Sequence, residues 1–143
     1  MNRPINILLV EDNPGDVRLT QEALKDCALC CNLHVAIDGI EALDYLFHRG
    51  TYENSVRPDL ILLDLNLPRK DGRTVLKEIK ADPQLKRIPV IVLTTSGDER
   101  DILQAYNLYA NSYIRKPLGL DKFNSIMSSI KSFWVDNAQL PCS

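Results

Sequence analysis

No stretch of this sequence approaches the roughly 20 consecutive apolar residues that a membrane-spanning helix requires. The opening Met1-Asn2-Arg3-Pro4 leads into a short apolar run, not into the longer core of a signal peptide. Cysteine is sparse: Cys27, Cys30, Cys31 and Cys142 are the whole complement, and their spacing is not that of a disulfide framework. Both absences point to a cytoplasmic protein in reducing surroundings. Charge of neither sign dominates, with 17 Lys and Arg facing 19 Asp and Glu for a formal net charge of −2. No basic block stands out, so a general binder of nucleic acid or of anionic membranes is not expected. Glycine is scarce too, at six residues in 143, and none forms a phosphate-cradling loop after the first apolar run. What remains is an ordinary globular composition, 45% hydrophobic and 25% charged. A chain of this length has room for one domain, expected to span residues 1–143 with its core at 5–134. Such a domain needs no staple of disulfides.

Five short apolar runs lack period-2 alternation: Ile5–Val10, Leu33–Ile37, Leu60–Leu63, Val90–Leu93 and Ser112–Ile114. Continuous runs of this kind are expected of parallel strands covered on both faces, the last being nearest an edge. Segments of helical period lie between them. Their apolar faces are Val17, Thr20, Ala23, Leu24 and Cys27; Ile40, Leu43, Leu46 and Phe47; Val75, Leu76 and Ile79; Ile102, Ala105, Tyr106 and Tyr109; and Phe123, Ile126, Met127, Ile130 and Trp134. His48–Arg57 is a longer polar connection, expected to be an exposed loop. Strict alternation of strand and helix predicts an α/β domain: a doubly wound, five-stranded parallel sheet with five helices on its two faces and right-handed crossovers.

In such a sheet, ligands bind beyond the carboxyl ends of the strands. Just past those ends stand Glu11-Asp12, Asp64, Thr94-Thr95-Ser96 and Arg115-Lys116-Pro117. Three acids, a hydroxyl cluster and a lysine are thus expected on one rim. Two carboxylates about 4 Å apart repel by roughly 4 kcal/mol at an effective dielectric near 20. A divalent cation relieves most of that repulsion, and hard oxygen donors select Mg²⁺ or a similar ion. With the metal in place, one carboxylate becomes a usable nucleophile toward phosphorus, and Lys116 stabilises the charge that develops. Asp64, alone at the end of a central strand, is the best nucleophile, and the Glu11-Asp12 pair is better placed to hold metal. Each residue alone reads as a loop acid, a helix cap or a surface lysine; their convergence from four strands carries the weight.

These residues stand in motifs that resemble the receiver domains of two-component response regulators. The motifs are Ile7-Leu8-Leu9-Val10-Glu11-Asp12-Asn13, Asp59-Leu60-Ile61-Leu62-Leu63-Asp64-Leu65-Asn66-Leu67-Pro68, Asp71-Gly72, Pro89-Val90-Ile91-Val92-Leu93-Thr94, and Tyr113 three residues before Lys116-Pro117. The resemblance implies a flavodoxin-like fold of strand order 2-1-3-4-5, with Asp64 taking a phosphoryl group from a sensor histidine kinase. It also implies Mg²⁺ held by the carboxylates of Asp12 and Asp64 and the backbone carbonyl of Asn66, with Glu11 acting through water. Thr94 would bond a phosphoryl oxygen, Tyr113 would turn inward after it, and Lys116 would ion-pair with the phosphoryl group. Asn13-Pro14-Gly15-Asp16, the loop before Pro58, Tyr106–Asn111 and Phe133-Trp134 further resemble the small stand-alone regulators paired with bacterial, especially cyanobacterial, phytochrome kinases. Two residues depart from the family pattern. Thr95 stands where many receivers carry Ala. Tyr109 stands where many carry Gly after helix 4, and a left-handed Tyr there is strained, so helix 4 is expected to end differently.

Nothing after the fifth helix reads as an output domain, so signalling by protein–protein contact is expected, not enzymatic turnover of a substrate. The face formed by helix 4, strand 5 and helix 5 is one that receivers commonly use for dimers. Here it carries Tyr109, Tyr113, Phe133 and Trp134, which predicts a homodimer; the alternative is that Phe133 and Trp134 only cap the core. Two other functions stay open. One is a pseudo-receiver that binds partners without phosphorylation, against which stands the complete set of acids, Thr94 and Lys116. The other is an aspartyl-phosphate phosphohydrolase, which wants a carboxylate two residues after the nucleophile, where Asn66 stands. Cys27-Ala28-Leu29-Cys30 is a CxxC at a helix end with no second ligand pair, and is read as ordinary thiols.

Overall fold

A computed structural model describes residues 4–25 and 31–141. The elements are β1 (Ile5–Val10), α1 (Pro14–Lys25), β2 (Cys31–Ala36), α2 (Gly39–Leu46), β3 (Leu60–Leu63), α3 (Gly72–Ala81), β4 (Val90–Thr94), α4 (Glu99–Asn107), β5 (Ser112–Arg115) and α5 (Leu120–Ile130). Short 3-10 turns at Gly50–Tyr52 and Leu85–Arg87 and a π-turn at Lys131–Asn137 complete the chain. All pairings are parallel, and the strand order is β2-β1-β3-β4-β5. Of the cysteines, Cys31 is buried on β2; the CxxC and Cys142 lie outside the described residues.

The apolar runs resolve into two faces because successive strand side chains point to opposite sides. Leu8, Val10, Ile61, Leu63, Val90 and Val92 face one core with the buried sides of α2, α3 and α4. Ile7, Leu9, Leu60, Leu62, Ile91 and Leu93 face the other with Leu24 of α1 and Phe123, Met127 and Ile130 of α5. The three central strands are buried almost throughout, whereas β5 at the edge is half exposed.

Three aspartates start helices at the carboxyl end of the sheet. Asp38 accepts from the Glu41 amide at 2.7 Å, Asp71 from the Arg73 amide at 3.0 Å and Asp98 from the Arg100 amide at 2.8 Å, satisfying amides that a helix start leaves free. Gly72 follows such a cap and permits a close approach: a Cβ there would lie 2.3 Å from the carbonyl oxygen of Asp64. Its amide donates to the Leu65 carbonyl at 2.9 Å, so the start of α3 is pressed against the backbone that presents Asp64.

Helix 4 corrects one expectation from the sequence. Its end is the left-handed cap that glycine favours, with Tyr109 at φ 70°. The Tyr109 amide donates to the Tyr106 carbonyl at 2.9 Å and the Ala110 amide to the Ala105 carbonyl at 3.0 Å, the bond pair of a Schellman cap. Tyrosine is accommodated because its side chain leaves the protein, 75% exposed, while Ala110 and Ala105 are buried behind it. Left-handed backbone costs a non-glycine residue about 1–2 kcal/mol. Tyr109→Gly is therefore expected to raise stability by up to about 1 kcal/mol, part of the relief being offset by the greater freedom of glycine in the unfolded chain. Urea denaturation of the two proteins measures the difference.

Candidate functional site

Strand order brings the ends of β1, β3, β4 and β5 side by side. Glu11 and Asp12 follow β1, Asp64 follows β3, Thr94 ends β4 and Lys116 follows β5. Glu11, Asp12 and Asp64 each offer a carboxylate oxygen, and these oxygens lie within 4.8 Å of one another. Glu11 and Asp64 are buried, while Asp12 opens to solvent.

The Lys116 ammonium, itself buried, donates to the Glu11 carboxylate. It also donates to Asp16 Oδ2 at 2.9 Å and Asp64 Oδ2 at 3.4 Å. Backbone amides serve the remaining oxygens: Asn13 donates to Glu11 Oε2 at 3.2 Å and Asn66 to Asp64 Oδ1 at 3.3 Å. Burial pushes Glu11 up to about 7, a rise that Lys116 opposes and the Asp64 charge reinforces. Burial acts to lower Lys116, but its bonds to Glu11 and Asp16 outweigh that and hold the ammonium above its ordinary range. One cation thus faces more anionic groups than it can neutralise, which suits the rim to a divalent cation.

Thr94 is fully buried, and its hydroxyl oxygen has no hydrogen-bond partner among the described residues. Its backbone is nonetheless fixed, the carbonyl accepting from the Lys116 amide at 2.7 Å. Two residues on, the Ser96 carbonyl accepts from the Tyr113 hydroxyl at 2.8 Å. The Ser96 hydroxyl donates to Asp101 Oδ2 at 2.6 Å, and Asp101 Oδ1 pairs with Arg73 at 2.8 Å. That hydroxyl and the Arg73 guanidinium hold the Asp101 carboxyl below its usual range.

Every rim residue expected from the sequence is therefore assembled: Glu11, Asp12, Asp64, Asn66, Thr94 and Lys116, with Tyr113 tied to the loop after β4. The aromatic residues expected at an interface divide. Tyr109 and Phe133 are exposed, Tyr113 packs partly against the α2–α4 core, and Trp134 packs against the α1–α5 core, edge-on to Phe133 with ring centroids 5.1 Å apart. Sequence reasoning gave no role to Asp16 or to the Arg73–Asp101–Ser96 chain. The signal for Asp16 was slight, because an acid in the first turn of a helix also reads as a partner for the helix dipole.

The family described as response regulator receiver domain matches residues 7–128. Response regulator Rcp1 of Synechocystis sp. is 50% identical over 142 residues, 99% of this chain and 97% of that protein. A crystal structure of the Mn²⁺-bound form of Rcp1 superposes with a TM-score of 0.94, covering 97% of this chain and 100% of that one. The phosphorylated cyanobacterial phytochrome response regulator RcpA is 52% identical and also superposes with a TM-score of 0.94, over 96% of this chain and 99% of that one.

A buried hydroxyl without a partner is a cost to the folded state. Thr94→Val keeps the side-chain shape and removes that hydroxyl, so it is expected to leave stability unchanged or raise it by about 1 kcal/mol. Urea denaturation in metal-free buffer tests this; a clear loss of stability would mean that the hydroxyl is bonded.

Proposed function

This chain belongs to the response regulator receiver family, and we propose that it is a phosphorylation switch whose phosphoacceptor is Asp64. The observation that carries this reading is the buried Asp64 carboxylate on the rim, with the Lys116 ammonium 3.4 Å from it and the unpartnered Thr94 hydroxyl at the end of the next strand. A carboxylate oxygen of Asp64 attacks the phosphorus of a phosphohistidine. The new P–O bond forms as the P–N bond breaks, and the imidazole leaves with the electron pair. Lys116, already charged and buried, moves from the carboxylates to the phosphoryl oxygens. Thr94 gains an acceptor for its hydroxyl, and Tyr113, whose hydroxyl holds the loop after β4, transmits that change.

The donor set fits Mg²⁺: Asp12 and Asp64 would hold it by their carboxylates and Asn66 by its backbone carbonyl, with Glu11 acting through water. When bound, the ion supplies Lewis-acid stabilisation of charge on the transferred phosphoryl oxygens. The likeness to RcpA supports a sensor histidine kinase, a phytochrome, as the phosphoryl donor. The chain then catalyses only its own phosphorylation and dephosphorylation and signals through protein contacts. The whole chain, residues 1–143, acts as one receiver unit in this reading. Among the described residues no helix is long and apolar enough to cross a membrane. A homodimer through α4, β5 and α5 is part of the same proposal, supported by Leu103, Tyr106 and Tyr109, exposed on and just after α4, and by Phe133, exposed after α5.

Incubation with acetyl phosphate and Mg²⁺ is expected to add one phosphoryl mass to the wild-type protein and none to Asp64→Asn; equal mass gain in both would exclude Asp64. The raised Glu11 carboxyl gives a pH dependence. Below about pH 7 it holds a proton that a cation must displace, so the affinity for Mg²⁺ should rise with pH, by about tenfold between about pH 6 and about pH 8. Glu11→Gln should flatten that dependence in calorimetric titrations. Sedimentation of wild type and a Tyr106→Ala/Tyr109→Ala variant across a concentration series is expected to show association in the first and weakened association in the second. A wild type that stays monomeric at high micromolar concentration, with or without a phosphoryl mimic, would end the dimer proposal.

A further inference from the structure

The ammonium of a lysine has three donors, and in Lys116 all three face carboxylates: Glu11, Asp16 and Asp64. They are not equal partners. The Asp16 contact is 2.9 Å and the Asp64 contact 3.4 Å, with Glu11 nearer than either, so the ammonium leans toward the end of β1 and the start of α1 and away from the end of β3. Asp16 is itself well placed to hold it. Its amide donates to Asn13 Oδ1 at 3.0 Å, and the Asn13 amide donates to Glu11 Oε2 at 3.2 Å. The turn from β1 into α1 is thus fastened to the same rim, and the Asp16 side chain is only 28% exposed.

Resting on the receiver reading above, we propose that Asp16 is a positioning residue of the acidic rim. It draws the Lys116 ammonium toward the start of α1 and keeps it from closing over Asp64, where a divalent cation has to enter. An ammonium and a divalent cation seek the same carboxylate oxygens. With Asp16 removed, the freed donor of Lys116 has Glu11 and Asp64 as its nearest anions, and the ammonium settles on Asp64 in competition with the metal. A role confined to complementing the helix dipole involves no such movement of Lys116.

The test pairs a binding measurement with a direct view of the ammonium. Mg²⁺ is titrated by calorimetry into wild type and Asp16→Asn, and the Lys116 Nζ and Asp64 carboxyl signals of both metal-free proteins are recorded by NMR. Asp16→Asn is expected to weaken Mg²⁺ binding by roughly three- to tenfold, the scale of one ordinary hydrogen bond, because Lys116 keeps its other two carboxylate partners. The Asp64 carboxyl signal should shift as Lys116 moves onto it. Unchanged affinity overturns the proposal. So does weaker binding with the Asp64 signal unmoved, because the effect then belongs to the Asp16 charge alone. A wild type that binds no Mg²⁺ overturns both this proposal and the receiver reading, whereas normal binding with no effect of Asp16→Asn leaves that reading intact. Should Asp16→Asn fail to fold, Asp16→Ser serves the same comparison. Absence of a coupling across the hydrogen bond from Lys116 Nζ to the Asp16 carboxyl in the wild type counts against the proposal without any variant.

Discussion

The Lys116 ammonium, buried at the carboxyl end of the sheet, is bonded to carboxylates delivered by three separate elements: Glu11 after β1, Asp16 in α1 and Asp64 after β3. Moving such charges out of water costs several kcal/mol per ion, and only close mutual contact offsets it. The contact exists because the crossovers place β1, β3 and β5 in one parallel sheet, so that residues more than one hundred positions apart share a rim. With Asp12 beside Glu11 and Asp64, four carboxylates share the rim with one ammonium. The excess of negative charge is held by the fold, and it is what gives a divalent cation or a protonated Glu11 something to stabilise. Remove the lysine and the rim is an unpaired buried anion cluster; remove the acids and the lysine is an isolated buried cation. Either change is more costly than the pair itself is stabilising.

Much of this was legible because the fold exposes it as pattern. Leu60–Leu63 reads as a strand buried on both sides, and the residue after such a strand in an α/β sheet lies at the ligand-binding end. Asp64 followed from that placement, and Glu11, Thr94 and Lys116 from the same reasoning applied to the neighbouring strands. The parts that were not legible depend on side-chain direction or on tertiary tolerance of local strain. The backbone at Tyr109 takes the form a glycine would take, because a buried Ala110 and two cap hydrogen bonds outweigh the left-handed penalty, and no local propensity announces that balance. Asp16 and Asp101 are acids in first helical turns, where acids are ordinary; their partners Lys116 and Arg73 come from other elements, and only the structure brings them together. Phe133 and Trp134 are adjacent, and helical period assigned Trp134 to the core face correctly, yet α5 gives way to a π-turn just before them.

Two physical routes lead from Asp64 to the loop after β4. The short one crosses to Thr94, whose hydroxyl is buried beside the rim without a partner. The long one runs along the backbone. Gly72 packs on the Asp64 carbonyl, and the next residue, Arg73, pairs with Asp101 of α4. Asp101 in turn accepts from Ser96, whose carbonyl the Tyr113 hydroxyl holds. A displacement at Asp64 therefore meets the same loop from two sides. The loop is further tied by Arg115, whose Nε donates to the Thr95 carbonyl at 3.3 Å and whose guanidinium lies against Gly97. Close packing makes such a segment respond by moving between discrete arrangements, not by stretching.

The energy available for that movement can be bounded from Thr94 alone. An unpaired buried hydroxyl costs the folded state about 1–3 kcal/mol, and a hydrogen bond to a charged acceptor contributes about 1.5–3 kcal/mol. A switch shifts only by the difference between its contacts in the two states. One new bond from Thr94 to an anionic oxygen is thus worth roughly a tenfold to hundredfold change in the ratio of those states. That is the scale of ordinary allosteric coupling, so the receiver reading needs no larger device than this one side chain. It does need the resting hydroxyl to lack a partner. Had Thr94 been bonded to a backbone carbonyl, the gain on meeting a phosphoryl oxygen would have been a mere exchange of partners. The loop after β4, held by Tyr113, Asp101 and Arg115, would then have little reason to move.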